Sequence, residues 1–325
     1  MGKITTDKLP DMQKTQEGFY KKGIEKVGVG GITILLPIKM KDGTVQKTIA
    51  TVSSFCSLDA NTKGINMSRI NRTINKVLAE ESSGSGFQDL ERFVKELREA
   101  HQAPDIYIKA EFQLILDDKS PMSDLYSQEP VDVIIESQYR NNDYKTFLTV
   151  KSTEMSLCPC SKTMSLLTNN ISTEEAEELK TLSPQLYEKI KKSGFGAHNQ
   201  KSEITATVEL SKDSNKILWI EDLRDIIRAS SSCPSYSVLK RNDEKFVTEV
   251  SYMGGYIDDD KNYIQIEGNF GPKFVEDIIR DLACQLDKEL DSSINDYILT
   301  CRNQESIHSE NIVALAVLTA GRNLR

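Results

Sequence analysis

The chain has 325 residues, of which 38% are hydrophobic and 28% are charged. This length suits one large domain or two of ordinary size, with ample apolar material for a core. The 41 basic and 49 acidic side chains give a net charge of −8. That balance argues against broad nucleic-acid binding, because this function needs a basic face.

The lack of membrane-spanning and secretory segments, together with the cysteine content, predicts the cellular compartment of the protein. No stretch reaches the roughly 18 consecutive apolar residues of a membrane-spanning helix, and the first residues lack the apolar segment of a secretory signal. The six cysteines are unevenly spaced, unlike a disulfide framework. We therefore expect a cytoplasmic protein with reduced thiols and no membrane partner. Four of these thiols are expected to be buried apolar side chains: Cys56, Cys233, Cys284 and Cys301.

The first half of the chain predicts strands, then helices, then strands. Residues 1–17 are polar and predict a loose lead-in. The turn Asp42-Gly43 joins two strands rich in Val and Ile, and helical spacing of apolar residues follows. In chain order the predicted elements are strands at 23–37 and 45–57, helices at 68–79 and 87–101, and strands at 105–116, 131–139 and 144–155.

The second half predicts a related order. Strand 202–210 is followed by a helix at 219–229, by a long helix from Pro272 to about residue 290, and by strands at 292–301 and 311–319. Proline suits the first position of a helix, where its missing N–H costs nothing. The repeated order predicts an α+β fold of two modules, residues 18–160 and 161–325, each with antiparallel sheet and helices on one face.

Two stretches are predicted to be surface features. Residues 172–192 are strongly charged and helical, and a solvated surface helix inserted in the second module explains them. Asp258-Asp259-Asp260 lacks the ligand spacing and closing Glu of a calcium loop, so a turn tip is expected there.

Cys158-Pro159-Cys160 is the pattern most suggestive of chemistry. Two structural cysteines in a tight turn would explain it, and so would a redox pair, although redox pairs more often use C-x-x-C. A four-cysteine zinc site is disfavoured, because no second pair follows at finger-like spacing. The remaining hypothesis is that one thiolate is a metal ligand and the other thiol acts as an acid, base or nucleophile. Either role is chemically reasonable, since a metal or cation lowers a thiol's pKa.

Scarce histidines and two carboxylates offer partners for these thiols. His198 precedes a predicted strand and His308 follows one, in loops of the kind that commonly hold active sites. Glu244 lies in a charge cluster that a solvated surface would explain, and Glu276 lies in a first helical turn, where the helix dipole explains it. The residues by themselves lead to the hypothesis of a metal-dependent hydrolase.

Five motifs occur in the order LCPCSK (157–162), GAHNQKS (196–202), LKRNDEKFVTE (239–249), PKFVED (272–277) and RNQESIH (302–308). Together they resemble the GTP cyclohydrolase IB family, the prokaryotic enzymes of the folate pathway. The resemblance implies the tunnelling fold, in which two modules of antiparallel sheet with paired helices assemble into barrels. It also implies a homo-oligomer, with a tetramer as the expected form.

The activity implied by the resemblance is hydrolysis of GTP to 7,8-dihydroneopterin triphosphate and formate, the first step of tetrahydrofolate biosynthesis. The implied cofactor is a divalent metal (Zn, Mn or Fe), which lowers the pKa of bound water for attack on C8 of the purine. Its implied ligands are Cys158, His198, Glu244 and His308. Glu244 is also a catalytic candidate, because the resemblance implies that its carboxylate lies near this water.

The resemblance further implies roles at the substrate. Cys160 would transfer a proton as the ring opens, and His308 would be either a ligand or a proton donor. Glu276 would accept two guanine N–H bonds, which selects guanine over adenine. The triphosphate would meet basic side chains, for which the candidates are Arg69, Lys162, Lys201, Lys240 and Arg241.

This chain departs from the family pattern in the long segment between Cys160 and His198, in an insertion between Glu249 and Pro272, and in Asn66, where some members have His. Insertions in loops are tolerated, so they affect surface and oligomer contacts more than chemistry. Rival interpretations are an archaeal-type GTP cyclohydrolase with a cyclic phosphate product, a nitrile reductase of queuosine synthesis, and a non-catalytic metal- or purine-binding module.

Overall fold

The computed structural model describes residues 20–80, 87–167, 172–185, 187 and 197–320. The chain divides into two compact units, one comprising residues 1–113 and 133–148 and the other residues 114–132 and 149–325. The predicted lead-in at 1–17 and the last part of the predicted helix at 172–192 lie outside the described residues.

The first unit contains a sheet and a helix pair. Its elements are strands β1 (Ile24–Lys39) and β2 (Val45–Leu58), helices α1 (Met67–Glu80) and α2 (Phe87–His101), and parts of strands β3 (Ile106–Lys119), β4 (Tyr126–Arg140) and β5 (Asp143–Leu157). The strands follow one another in the sheet in chain order, and β2 pairs antiparallel with both β1 and β3. Helical and strand periodicity produce the buried faces, as in Ile70 and Ile74 of α1 and Ile106 and Ile108 of β3.

The second unit carries all the predicted site residues apart from Arg69. Besides the remaining parts of β3, β4 and β5 it contains α3 (Pro159–Leu167), α4 (Thr173–Leu182), β6 (Asn199–Leu210), α5 (Ile220–Ser230), α6 (Arg241–Met253), β7 (Gly255–Ile257), β8 (Tyr263–Gln265), α7 (Val275–Leu286), β9 (Ile294–Gln304) and β10 (Val313–Thr319). Its sheet continues in the order β5-β6-β9-β10, with β9 antiparallel to both β6 and β10.

Helices α5 and α7 pack together and cover this sheet. Both contact its strands, and their apolar stripes are fully buried, as at Leu223 and Ile227 in α5 and Leu282 and Leu286 in α7. The predicted α+β class, with antiparallel sheet and paired helices, is confirmed. The predicted division at residue 160 differs from the two compact units, because β3, β4 and β5 each pass from one unit into the other; the two-module organisation stays a prediction.

The prediction of the long helix was wrong at both ends. It begins at Val275 rather than Pro272, because the N–H of Phe274 donates to Asp277 Oδ2 at 3.0 Å and caps the helix there. It ends at Leu286, four residues early. The prediction for Cys284 was also wrong, because this thiol is exposed on α7, whereas Cys56, Cys233 and Cys301 are buried as expected.

Three elements were not predicted, and two surface predictions are confirmed. The missed elements are α3, α6 and the β7–β8 hairpin. Helix α4 carries a capping box at Ser172 and Glu175 within the predicted surface insertion, and Asp258–Asp260 form the turn between β7 and β8. Within the described ranges, no helix has the length and apolar character needed to cross a membrane.

Candidate active site

The C-x-C pair lies where β5 ends and α3 begins. Cys158 is half-buried and Cys160 is exposed in the first turn of α3. Proline suits that helix start, since its ring is compatible with the first turn. The Ser161 N–H donates to Cys158 Sγ at 3.5 Å, and the Lys162 N–H donates to the Cys158 carbonyl at 3.1 Å. The two thiols therefore have different surroundings, and the division of roles between them stays a prediction.

His198 lies beside this turn. The Cys158 N–H donates to the His198 carbonyl at 3.3 Å, and the His198 N–H donates to Ser161 Oγ at 3.3 Å. The half-buried imidazole places Nδ1 3.2 Å from Ser306 Oγ. Three motifs far apart in the sequence, at 157–162, 196–202 and 302–308, therefore meet at His198.

The loop after β9 continues this site. Gln200 Nε2 donates to the Glu305 carboxylate, and the Glu305 carbonyl accepts from the His308 N–H at 3.2 Å. His308 itself is exposed. It lines a cavity of ≈ 740 Å³ whose wall also includes Lys201 and Arg302. This volume lies in the usual range of small-molecule binding sites.

Helix α6 presents Glu244 and is fixed at both of its ends. Glu244 is exposed, whereas the neighbouring Asp243 is fully buried and accepts from Met122 N, Ser123 N and Lys240 N at 2.8–2.9 Å. The Ser123 hydroxyl also donates to Asp243 Oδ2 at 2.5 Å. Burial raises the pKa of Asp243, but the hydrogen bonds, above all that from the Ser123 hydroxyl, lower it to about 2. At the other end Lys162 Nζ, from the LCPCSK motif, donates to the Tyr252 carbonyl.

Glu276 lies exposed in the first turn of α7. Burial raises the pKa of the Cys301 thiol on β9 to about 12, and the negative charge of Glu276 adds to the rise. An exposed carboxylate at this position remains available to a ligand.

The four predicted metal ligands are not gathered into one cluster. Among the described residues, no group of three His, Cys, Asp or Glu side chains could hold a metal ion. The main chains of Cys158 and His198 are joined by a hydrogen bond, and thiolate and imidazole are donor types that zinc and iron accept. Glu244 and His308 lie on α6 and in the loop after β9, so the structure as described does not fit a complete metal site.

The basic candidates for the triphosphate are dispersed. Arg69 belongs to the first unit, where its guanidinium donates to the Ala100 carbonyl at 3.4 Å. Lys162 is engaged with Tyr252, and Lys240 and Arg241 flank the start of α6. Lys201 lines the same cavity as His308.

A buried carboxylate, Glu154, was missed by sequence reasoning. It is 1% exposed, borders the His308 cavity, and accepts from Ser152 Oγ at 2.5 Å and Ser235 N at 2.7 Å. Burial raises its pKa to about 7 despite these hydrogen bonds. Strict strand alternation from the buried Val150 predicts an inward position for residue 154, and that signal would have found it.

The family model of type I GTP cyclohydrolase FolE2 matches residues 9–255 and 258–314. GTP cyclohydrolase FolE2 of Magnetococcus marinus is 31% identical over 308 residues, 94% of each chain. That of Dictyoglomus turgidum is 30% identical over 310 residues, 94% of this chain and 96% of the relative.

Among solved structures, the uricase of Arthrobacter globiformis is similar with a TM-score of 0.50 and 8% identity, covering 93% of this chain and 94% of the uricase. At this identity the likeness shows the fold alone. It confirms the predicted tunnelling fold.

Proposed function

Because the chain belongs to the type I GTP cyclohydrolase FolE2 family, we infer that it converts GTP to 7,8-dihydroneopterin triphosphate and formate. This is the GTP cyclohydrolase reaction of folate biosynthesis. The observation that carries the inference is the family match over residues 9–255 and 258–314. The narrower assignment to the IB type rests on the order of the five motifs from LCPCSK to RNQESIH.

The meeting of three motifs at His198 supports an active site in this part of the second unit. Cys158, Ser161 and Ser306 contact His198 through main-chain or side-chain hydrogen bonds. The lining of the adjoining cavity includes Lys201, a cation of the kind that attracts a triphosphate. Arg302 also lines it, but its guanidinium pairs with Glu203 at 3.2 Å.

We propose distinct roles for the exposed groups. The thiol of Cys160 faces solvent at the start of α3 and would give a proton to an imidazole nitrogen as the purine ring opens. Glu276 would accept the two N–H groups on the guanine edge, so that adenine would leave its oxygens unpaired. His308 would act as a proton donor or a metal ligand, and Glu244 as a base.

The cofactor is proposed to be a divalent metal ion, zinc, manganese or iron. Cys158 and His198 carry the proposal, because thiolate and imidazole are ligands that such metals accept. Glu244 and His308 remain predicted ligands. Metal analysis of the purified protein and of its Cys158→Ala variant tests this assignment.

A homo-oligomer is proposed, with a tetramer as the form that the resemblance implies, and an open sheet edge supports association. Within the described sheet order, β10 pairs only with β9, and its side chains Leu315 and Val317 are 63% and 60% exposed. An apolar outer strand with an open edge favours pairing with another chain. Native mass spectrometry tests this, and a monomer would contradict it. The cytoplasmic location stays a prediction from the cysteine content.

Product analysis tests the function. GTP incubated with metal-loaded protein should give formate and a dihydroneopterin that still carries three linear phosphates, which phosphorus NMR identifies. A cyclic phosphate would favour the archaeal-type reaction, whereas tight GTP binding without product would favour a sensor module. NADPH oxidation with a nitrile substrate would favour the reductase.

A further inference from the structure

A buried serine segment follows α5. Residues 230–233 read Ser-Ser-Ser-Cys, and each is at most 1% exposed. Buried hydroxyl groups are costly unless they are hydrogen-bonded. These hydroxyl groups are therefore expected to serve as connections between the elements around them.

The Ser232 hydroxyl joins two of the family motifs. It accepts from the Leu157 N–H at 3.2 Å and from the Lys273 N–H at 3.1 Å, both at buried positions. Leu157 immediately precedes Cys158, and Lys273 lies three residues before Glu276. One oxygen atom thus binds both the main chain that leads to Cys158 and Cys160 and the main chain that leads to Glu276.

The main chain around Ser232 reinforces the first of these connections. The Ser232 N–H donates to the Met155 carbonyl at 3.1 Å, and the Met155 N–H donates to the Cys233 carbonyl at 3.3 Å. The end of β5 is therefore fastened to the serine segment independently of the hydroxyl group.

The second connection also has an independent support. Lys273 is 4% exposed, and its Nζ donates to the Ser230 carbonyl at 3.0 Å and to Asp281 at 2.6 Å. Because the main-chain segments at Leu157 and Lys273 are each held by other hydrogen bonds, loss of the Ser232 hydroxyl should leave the fold intact. The role left for the hydroxyl group is to set the distance between these two main-chain segments.

We propose that Ser232 is a positioning residue for the GTP cyclohydrolase site, fixing Cys158 and Cys160 relative to Glu276. The proposal rests on the proposed function, in which Cys160 and Glu276 act on the same substrate molecule. Guanine held by Glu276 would present its imidazole ring to Cys160 only if the two main chains keep their separation. A misplacement of about 1 Å can cost about 100-fold in rate.

The test uses Ser232→Ala with Ser231→Ala as its matched control. Ser231 is an equally buried serine, but its hydroxyl donates to the Arg228 carbonyl at 2.7 Å, within the end of the same helix. Ser231→Ala loses one buried hydroxyl hydrogen bond, whereas Ser232→Ala loses two, and those two form the connection between the motifs. Ser232→Cys retains a weak acceptor of similar size and should be intermediate.

The readouts are kcat and KM for GTP, the melting temperature, and hydrogen exchange of the Leu157 and Lys273 amides. Ser232→Ala should lower kcat by at least about 10-fold and speed exchange at both amides, whereas Ser231→Ala should keep kcat within about 2-fold and leave both amides protected. If Ser232→Ala does not fold, Ser232→Cys carries the same comparison.

Equal kcat for the Ser231 and Ser232 variants, with faster amide exchange in the latter, would overturn the positioning role while leaving the proposed function intact. A wild-type protein that releases no formate would overturn the proposed function itself, and the positioning role with it.

Discussion

The two sides of the candidate site are held in different ways. The main chain at Leu157 and Cys158 is fixed by hydrogen bonds to Ser232, His198 and its own helix. By contrast, Glu244, Glu276 and His308 are exposed. The main chain on the thiol side is therefore organised by the fold, because its buried hydrogen bond to Ser232 is expensive to break, whereas the Cys160 side chain is exposed. Exposed side chains keep their rotamer freedom, so a bound ligand should change the conformations of these side chains most.

The largest effects are expected on the thiol side. Cys160→Ala should retain bound metal and lose about 10²–10⁴-fold in turnover, the usual contribution of a proton-transfer group. Cys158→Ala should lose both metal and activity. Metal analysis and formate assays check this, with Cys284→Ala as the control, since that thiol is also exposed but lies on α7. Equal metal retention in the Cys158 and Cys160 variants would refute the division of roles.

A second effect concerns Glu154, which borders the exposed side but is itself buried. Its pKa rises from 4.5 to about 7 on burial, so the folded protein holds its proton more tightly than the unfolded chain does. The stability from this group is complete below about pH 4.5 and is lost as the pH rises to about 7. The loss is at most about 3 kcal/mol.

Glu154→Gln should therefore flatten the fall in unfolding free energy between pH 4.5 and 7, and denaturant titrations at several pH values measure it. Glu136→Gln is the control, because Glu136 is exposed on β4. An identical pH profile for the Glu154 variant and the wild type would show that this carboxyl does not titrate in that range.

A smaller effect is expected at Glu276, on the exposed side. Glu276→Gln should weaken GTP binding about 10- to 100-fold, because a hydrogen bond to a charged group contributes about 1.5–3 kcal/mol, and should leave metal content unchanged. Calorimetric titration with GTP measures this, and Asp277→Asn, which alters the adjacent capping carboxylate, is a control for helix stability. Unchanged GTP affinity would remove the anchor role.

The sheet and the helix pairs could be predicted because periodicity is local. Alternation places Ile106, Ile108 and Ala110 in the core of β3, and all three are buried. Helix α6 was missed although Asp243 accepts from the Lys240 N–H three residues earlier, because this carboxylate is also buried against Met122 and Ser123, about 120 residues earlier in the chain. The charged residues 240–245 look like a solvated surface until this distant partner is known.

The candidate site likewise contains residues that sequence motifs identify and a residue that only long-range contacts reveal. The motifs identified Cys158 and His198, which the fold brings together. Ser232 was not identified, because a run of serines reads as a loop until its burial is known. Its two partners, Leu157 and Lys273, lie 75 and 41 residues away, and such contacts arise only from tertiary packing.

The most direct measurement is carbon NMR of GTP labelled with ¹³C at C8 of the guanine, incubated with the metal-loaded protein and with its Cys160→Ala variant. The wild-type protein should transfer the label to formate as dihydroneopterin triphosphate accumulates, and the variant should leave the label in GTP. A wild-type sample in which the label stays in the purine ring would contradict the account, and so would formate release by the variant at the wild-type rate.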